Sequence, residues 1–269
     1  VSAVADPTVL AAAPGTGPGS GAGRGAARRR GWRSLFIQIA VLLVLIVALF
    51  VWLANASLSE VERATLAPAE LWRMTLEHLK LTVVSAVIVL VIAVPLGIAL
   101  TRGPLRRANG VILAIANIGQ AAPAVGLVVL LAFAMGFGSP AAIVALVLYA
   151  ILPVLRNTMV GLDGVDSRLV EAGQGMGMSA SAVLFKVELP LAVPVMLSGI
   201  RTALVLLVGT ATLATFINGG GLGLLITTGV NLSQTAVLVV GSLLVALLAL
   251  VVDWIGKVVE FVARPKGLA

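Results

Sequence analysis

The residues whose chemistry is most distinctive stand in one stretch, EAGQGMGMSASAVLFKVELP, from Glu171 to Pro190. It carries Glu171, Lys186 and Glu188, and Gly173, Gly175 and Gly177 alternate with Gln174, Met176 and Met178. A carboxylate beside a glycine-rich turn offers charge-assisted hydrogen bonds to another surface rather than bond-breaking chemistry. Elsewhere the reactive inventory is thin. The sequence has no cysteine, which excludes disulfides and thiolate metal sites, and its one histidine, His78, cannot build a metal site alone. It has no G-x-x-x-x-G-K-[ST] phosphate loop, and the glycine runs at 15–25 and 219–223 lack both the lysine and the strand context.

Composition defines the elements that must hold this stretch. Of 269 residues, 60% are hydrophobic and 11% charged, with a mean hydropathy of +1.14, whereas a soluble domain has roughly one quarter charged residues. The apolar residues form continuous runs of helical length, without the alternating ten-residue segments of a membrane barrel. The fold class is therefore all-α, a polytopic integral membrane bundle of about six spans, expected near 35–53, 79–100, 108–135, 141–155, 191–217 and 235–255. Lipid would not accept the Glu171 stretch. Its first half reads as a short helix entered through Asp166 or Ser167, the glycines allow a sharp turn and close approach by another backbone, Ser179 caps a second helix, and Pro190 opens the next element. The result is a helix, a turn and a helix outside the membrane.

The chain divides into a leader at 1–34, an extra first span at 35–54, a connector at 55–78, a transmembrane unit at 79–262 containing the polar loop 163–190, and a tail at 263–269. The leader, rich in Ala, Gly and Pro up to Arg24, Arg28, Arg29, Arg30 and Arg33, reads as disordered. The run at 35–53 is longer than a secretory h-region of about 7–15 residues, so it reads as a retained span; cleavage after Ala54-Asn55-Ala56 is the alternative. In the connector, Pro68 opens a helix that carries Trp72 along the outer surface, and His78 reads as interfacial rather than a proton carrier. Gln120 and Pro123 lie inside the third span. Proline bends a helix and frees a carbonyl that protein or a wet cavity must satisfy, so Gln120 is placed facing the interior, either lining a pathway or bonding to a neighbouring helix. Tyr149 and Pro153 in the fourth span, and Asn218, Gly220 and Gly221 beyond the fifth, complete the pathway or gate candidates. Arg201 is expected to snorkel to the inner surface in preference to pairing with Glu188, and Asp253 with Lys257 one turn on suits an ion pair.

Charge placement orients the chain. Six spans put both ends on one side, together with Arg24, Arg28, Arg29, Arg30, Arg33, Arg102, Arg106, Arg107, Arg156, Arg168, Lys186, Lys257, Arg264 and Lys266; Arg63, Arg73 and Lys80 fall on the other. The positive-inside rule makes the first side cytoplasmic, and the net charge of +7 reports loops facing anionic lipid rather than nucleic acid.

Glu171, Ala172, Gly177, Val187, Leu189 and Pro190 fall on the spacing E-A-A-x-x-x-G-x9-I-x-L-P, with Gly173 in place of the second alanine and Val187 in place of isoleucine. This resembles the cytoplasmic loop signature of permease subunits of ATP-binding-cassette importers. HLKLTVVS at 78–85, IAVPLGI at 92–98, LYAILPVLRNT at 148–158, FKVELPLAVPVMLSGIRTA at 185–203 and TLATFINGGGLG at 212–223 are similar to permeases of osmoprotectant importers, over roughly 76–262. Leu224 departs from the polar residue common after the Gly-Leu-Gly. The resemblance implies a type I importer (MetI-like) fold in the bacterial plasma membrane, with both termini cytoplasmic. It also implies two cytosolic ATPases that carry ATP and Mg, an extracytoplasmic substrate-binding protein, and a second permease as homodimer or heterodimer. This chain itself would bind no cofactor and catalyse nothing. Arg168, Glu171, Ala172, Gly173, Gly175, Met176, Gly177, Met178 and Ser179 would couple to the ATPase. The cargo implied is glycine betaine, choline, carnitine or proline betaine; an amino acid such as methionine is the alternative, and a stand-alone channel or secondary carrier comes from another class.

If the five leader arginines help hold the first span's orientation, replacing all five by glutamine weakens insertion or changes the topology of 35–53. Glycosylation or cysteine-labelling maps check this, and an unmodified leader found outside the cell overturns the six-span topology.

Overall fold

The computed structural model describes residues 20–263, except for the side chains of residues 20–31, 33 and 34. Among the described residues eleven α-helices follow one another: α1 Ser20–Asn55, α2 Glu60–Thr65, α3 Pro68–Leu100, α4 Asn109–Ala121, α5 Ala124–Met135, α6 Ser139–Asp163, α7 Ser167–Gly175, α8 Ala180–Val183, α9 Leu189–Thr210, α10 Gly223–Asn231 and α11 Thr235–Ala263. Short 3₁₀ segments at Gly103–Ala108 and Ala211–Ile217, and a π turn at Leu184–Glu188, join some of them. No strand occurs among the described residues. Five helices are long and apolar enough to cross a membrane, and the pair α4 and α5 makes a sixth crossing if counted as one.

Several boundaries differ from those the sequence predicts. Residues 20–31, read as disordered, belong to α1; residues 1–19 and 264–269, and with them most of the leader and the tail, lie outside the described residues. The surface helix expected after Pro68 is absorbed into α3, one unbroken helix of 33 residues. Its length of about 50 Å lets it cross the bilayer and still project beyond it. Consequently His78 is not interfacial but fully buried, its Nε2 2.9 Å from the Val208 carbonyl oxygen. The third span is not one rod: α4 and α5 bend by 99° at Ala122–Pro123, because Pro123 has no N–H to give the carbonyl of Gly119 and cannot continue the ladder. Helix α6 runs past Pro153 to Asp163, eight residues beyond the expected end at 155.

Helix α6 is the centre of the bundle, packed against α3, α9, α4 and α5, while α11 packs against α9, α10 and α1. Ala141, Ala142, Ala145 and Ala150 on α6 are buried, as are Ala93 on α3 and Ala192 on α9. Lipid tails are as apolar as leucine, so helices in a membrane are held by close packing rather than by escape from water, and small residues permit it. A methyl group at Gly97 of α3 would lie 2.8 Å from Thr158 Cβ of α6, and one at Gly199 of α9 would lie 2.4 Å from Asn157 Cβ and 2.7 Å from the Pro153 oxygen.

Helix α1 is tied to the bundle by polar atoms. Gln38 donates to Asp253 (3.1 Å) and accepts from Lys257 Nζ (3.2 Å), and Trp254 Nε1 donates to the Leu35 carbonyl (3.0 Å). The expected Asp253–Lys257 pair is present at 2.6 Å. Arg201 does not meet Glu188: it reaches across to α11, 3.0 Å from Glu260 and 3.7 Å from Asp253.

Gly199→Ala forces apart the α9–α6 crossing and is expected to cost about 1–3 kcal/mol, seen as a lower melting temperature and a smaller monodisperse fraction in detergent. Gly110→Ala, where nothing lies within 4 Å, leaves both unchanged.

Candidate coupling loop and membrane pathway

The polar stretch folds as the caps dictate. Asp166 is the N-cap of α7 and accepts from the Arg168 backbone N–H at 2.9 Å, while the Arg168 guanidinium grips the same carboxylate at 2.7 Å. The guanidinium, with the backbone bond second, holds the Asp166 carboxyl below the usual carboxylate range. Being depressed, its contribution to the cap is present at neutral pH and lost only as the pH falls through the folded-state value. Helix α7 ends in a Schellman motif: Met178 N–H bonds to the Gly173 carbonyl at 3.1 Å and Gly177 N–H to that of Gln174 at 2.9 Å. Gly177 takes a φ of 82° and has nothing within 4 Å of a would-be Cβ. Within this chain its requirement is therefore the left-handed backbone, not the close approach that the sequence suggests. Gly173, which stands where the resemblance calls for alanine, is buried, and a methyl there would lie 3.3 Å from Val183 Cγ2 and 3.5 Å from Met178 Sδ.

Ser179 caps α8 by accepting from Ala182 N–H at 3.3 Å. The second helix is then not a separate element: α8 passes through the π turn directly into α9, a helical run from Ala180 to Ile217. Arg168, Glu171, Ala172, Gly175, Met176, Gly177 and Ser179 are all exposed, and Met176 stands 77% exposed at the tip. The loop thus presents a charged and apolar edge to the outside.

What anchors it was not legible in the motif. Glu188 in the π turn is buried, 7% exposed at its side chain, and pairs with Arg102 from the segment after α3. Beside that pair a crevice of about 300 Å³ opens between Arg102, Arg106, Asp163, Ser167 and Glu188. Opposite charges at the ends of two different spans were the available signal; their pairing needs the fold.

The pathway candidates separate into three places. Tyr149 of α6 donates its hydroxyl to the Ala122 carbonyl at 2.5 Å, and Gln120 Nε2 lies 3.4 Å from the Tyr149 carbonyl oxygen, so Gln120, Pro123 and Tyr149 meet at the α4–α5 break. Pro153 lies elsewhere along α6, its carbonyl accepting from Asn157 Nδ2 at 2.8 Å. At the opposite end of α9 from the coupling turn, Asn218 (φ 59°) caps the 3₁₀ segment, with Gly219 N–H on the Ala214 carbonyl at 2.8 Å. Gly220 and Gly221 then lie against α3, where Glu77 Oε2 accepts from Gly221 N–H at 3.2 Å. Glu77 is the residue that the sequence reading passed over here, and His78, read there as interfacial, is its neighbour beneath the loop.

An all-helical bundle with five or six apolar crossings, polar residues at its helix breaks and one capped loop offered to the outside defines a multi-pass membrane transport subunit. The chain belongs to the family of binding-protein-dependent transport system inner membrane components, whose model matches residues 93–264. It is 42% identical over 199 residues, 74% of this chain and 91% of the relative, to the glycine betaine/carnitine/choline transport system permease protein OpuCB of Bacillus subtilis (strain 168). It is 37% identical over 200 residues, 72% of this chain and 92% of the relative, to the osmoprotectant import permease protein OsmW of Salmonella typhimurium. In fold it is similar to a chain of the MetNI methionine ABC transporter solved in inward-facing conformations, with a TM-score of 0.64 at 26% identity over 77% of this chain and 100% of that one. The expected family and fold are thereby shown.

Removing the guanidinium in Arg102→Ala strands the buried Glu188 carboxylate. The expected cost is roughly 2 kcal/mol or more, read as a lowered melting temperature. Arg102→Ala combined with Glu188→Gln recovers part of it, since no bare charge is then left in the turn.

Proposed function

We propose that this chain is the permease subunit of an ATP-binding-cassette importer for osmoprotectants of the glycine betaine, choline, carnitine and proline betaine class. It works with two cytosolic ATPases that carry ATP and Mg, an extracytoplasmic substrate-binding protein and a second permease, either an identical copy or a homologue. The chain itself binds no cofactor and breaks no bond. In this reading α4 and α5 form one crossing, and both termini and the coupling loop lie on the arginine-rich, cytoplasmic side of the plasma membrane; the positive-inside rule supports it.

The observation that carries this reading is the continuity of the coupling turn with α9. A Schellman turn fixed by Gly177 presents Met176 and Glu171 outward, and the next residues run without a break from α8 into a membrane span. A helix transmits displacement along its axis, so a push on the turn by a closing ATPase dimer becomes movement of α9 and of what it packs against. Met176 is suited to the contact because its unbranched thioether adapts to an irregular groove. Names of relatives at up to 42% identity point to quaternary amines; the methionine transporter likeness is one of fold and keeps an amino-acid cargo as the second reading.

The test is ATP-driven uptake of glycine betaine by the reconstituted complex with its receptor. Gly177→Trp is expected to insert at normal abundance while uptake and receptor-stimulated ATP hydrolysis fall together. Glu171→Ala acts in the same direction more weakly, by a contact worth about 1.5–3 kcal/mol. Wild-type uptake by Gly177→Trp at matched expression removes the coupling role, and downhill transport by vesicles holding this chain alone removes the importer reading.

A further inference from the structure

The outer end of the bundle holds a contact that neither the family signature nor the coupling loop explains. Residues 218–221 join the 3₁₀ end of α9 to α10, and three of the four have positive φ: Asn218 at 59°, Gly220 at 82° and Gly221 at 91°. Its local backbone bonds secure its two ends, Asn218 N–H to Thr215 and Gly219 N–H to Ala214 on one side and Leu224 N–H to the Gly221 carbonyl on the other, and leave the Gly219 carbonyl and the Gly221 N–H to partners from other helices. It is held from two sides. Ser139 at the start of α6 donates to the Gly219 carbonyl at 3.3 Å, and Glu77 of α3 accepts from Gly221 N–H at 3.2 Å. Glu77 is in turn aligned by Arg73, 2.6 Å from its other oxygen, and Arg73 by Glu70 at 2.8 Å.

The fit beneath the loop is close. A methyl at Gly221 would lie 3.1 Å from His78 Nδ1 and 3.4 Å from His78 Cα, and one at Gly220 would lie 2.8 Å from Glu77 Oε2. His78 itself is fixed: a carbonyl can only accept, so His78 Nε2–H donates to the Val208 carbonyl at 2.9 Å, which pins α3 to the last turn of α9. Yet the Glu77 side chain remains 38% exposed and Arg73 53% exposed. The contact is therefore firm enough to set the loop's position and open enough for a docking protein to compete for its charges.

We propose that Glu77 is the positioning residue of an outer latch: its carboxylate, aligned by Arg73, holds 218–221 against His78 and keeps the bundle closed on the side opposite the coupling turn. The inference rests on the importer reading for the identity of that side and for the receptor that releases it. The loop terminates the same helical run that begins at the coupling turn, so release at one end and displacement at the other act on one rigid element. Docking of the loaded receptor frees the Gly221 N–H from Glu77 and permits the loop to swing away, admitting the solute.

The experiment uses the complete complex with its ATPase in lipid nanodiscs, with and without receptor loaded with glycine betaine. Loss of the acceptor in Glu77→Ala is expected to raise receptor-independent hydrolysis several-fold, up to about tenfold for one charge-assisted bond, and to shrink the receptor's further stimulation. Glu77→Gln keeps an amide oxygen for Gly221 and stays near wild type. A merely structural role lowers abundance and both activities together, without this reversal of basal rate. The absence of cysteine gives a second arm. The Cβ positions of 77 and 220 are 3.8 Å apart, the usual span of a disulfide, so Glu77→Cys with Gly220→Cys is expected to cross-link. Gly220→Cys alone is the control, because a side chain at φ 82° is strained; relative to it the reduced pair shows the effect of Glu77→Ala, the oxidised pair stops uptake and receptor-stimulated hydrolysis, and reductant restores the reduced behaviour. Failure to cross-link, equal activity in both redox states, or an unchanged basal rate in Glu77→Ala overturns the latch. A wild-type complex that shows no receptor-stimulated hydrolysis instead overturns the importer reading on which it rests.

Discussion

A bilayer offers no hydrogen bonds, and a departure from helix within or at the end of a span must therefore draw its partners from the chain itself. At the α4–α5 break the Ala122 carbonyl is met by the Tyr149 hydroxyl. At 218–221 the loop's backbone is shared between Ala214, Ser139 and Glu77. At the π turn the buried Glu188 is answered by Arg102. Tertiary side chains supply each of these repairs, so each can be undone by a rearrangement without unfolding a helix.

The same constraint explains the central position of α6. Its alanine-lined faces let α3, α9, α4 and α5 approach, and Gly97 and Gly199 bring two of those neighbours closer than any side chain allows. Close-packed crossings slide or rotate as units rather than deform. Helix α9 then has the polar turn at one end, a tight crossing with α6 where Gly199 meets Asn157 and Ala192 meets Gly161, and the glycine loop at its far end. In the proposed coupling role, movement entering at Met176 would have a continuous element along which to travel.

Helix α1 sits outside the matched family region, which begins at residue 93, yet it is not loosely attached. Gln38 bridges Asp253 and Lys257, and Arg201 joins the cluster from α9. Polar groups at membrane depth are costly when unpaired, so a shared network of this kind fixes the register of α1 against α11 and binds both to α9. The apolar faces of α1, with Phe36, Val44 and Phe50 more than half exposed, are left for lipid.

Hydropathy alone determined that the chain is a membrane-spanning helix bundle, because continuous apolar runs of helical length have no other stable use in lipid. The caps Asp166 and Ser179, the left-handed position Gly177 and the Asp253–Lys257 pair were equally local, set by residues within a few positions of one another. Contacts between distant residues were decided only by the tertiary structure. His78, with Trp72 and Lys80 nearby, reads as interfacial until α3 is seen to run unbroken through it and seat its ring on Val208 of α9, 130 residues away. Arg201 has several carboxylates within reach in principle, and the crossing of α9 with α11 selects Asp253 and Glu260 over Glu188, which Arg102 already holds. Spacing along a chain fixes caps, turns and faces; which charge meets which, and which loop a carboxylate restrains, depends on where helices cross, and that is set by packing summed over the whole bundle.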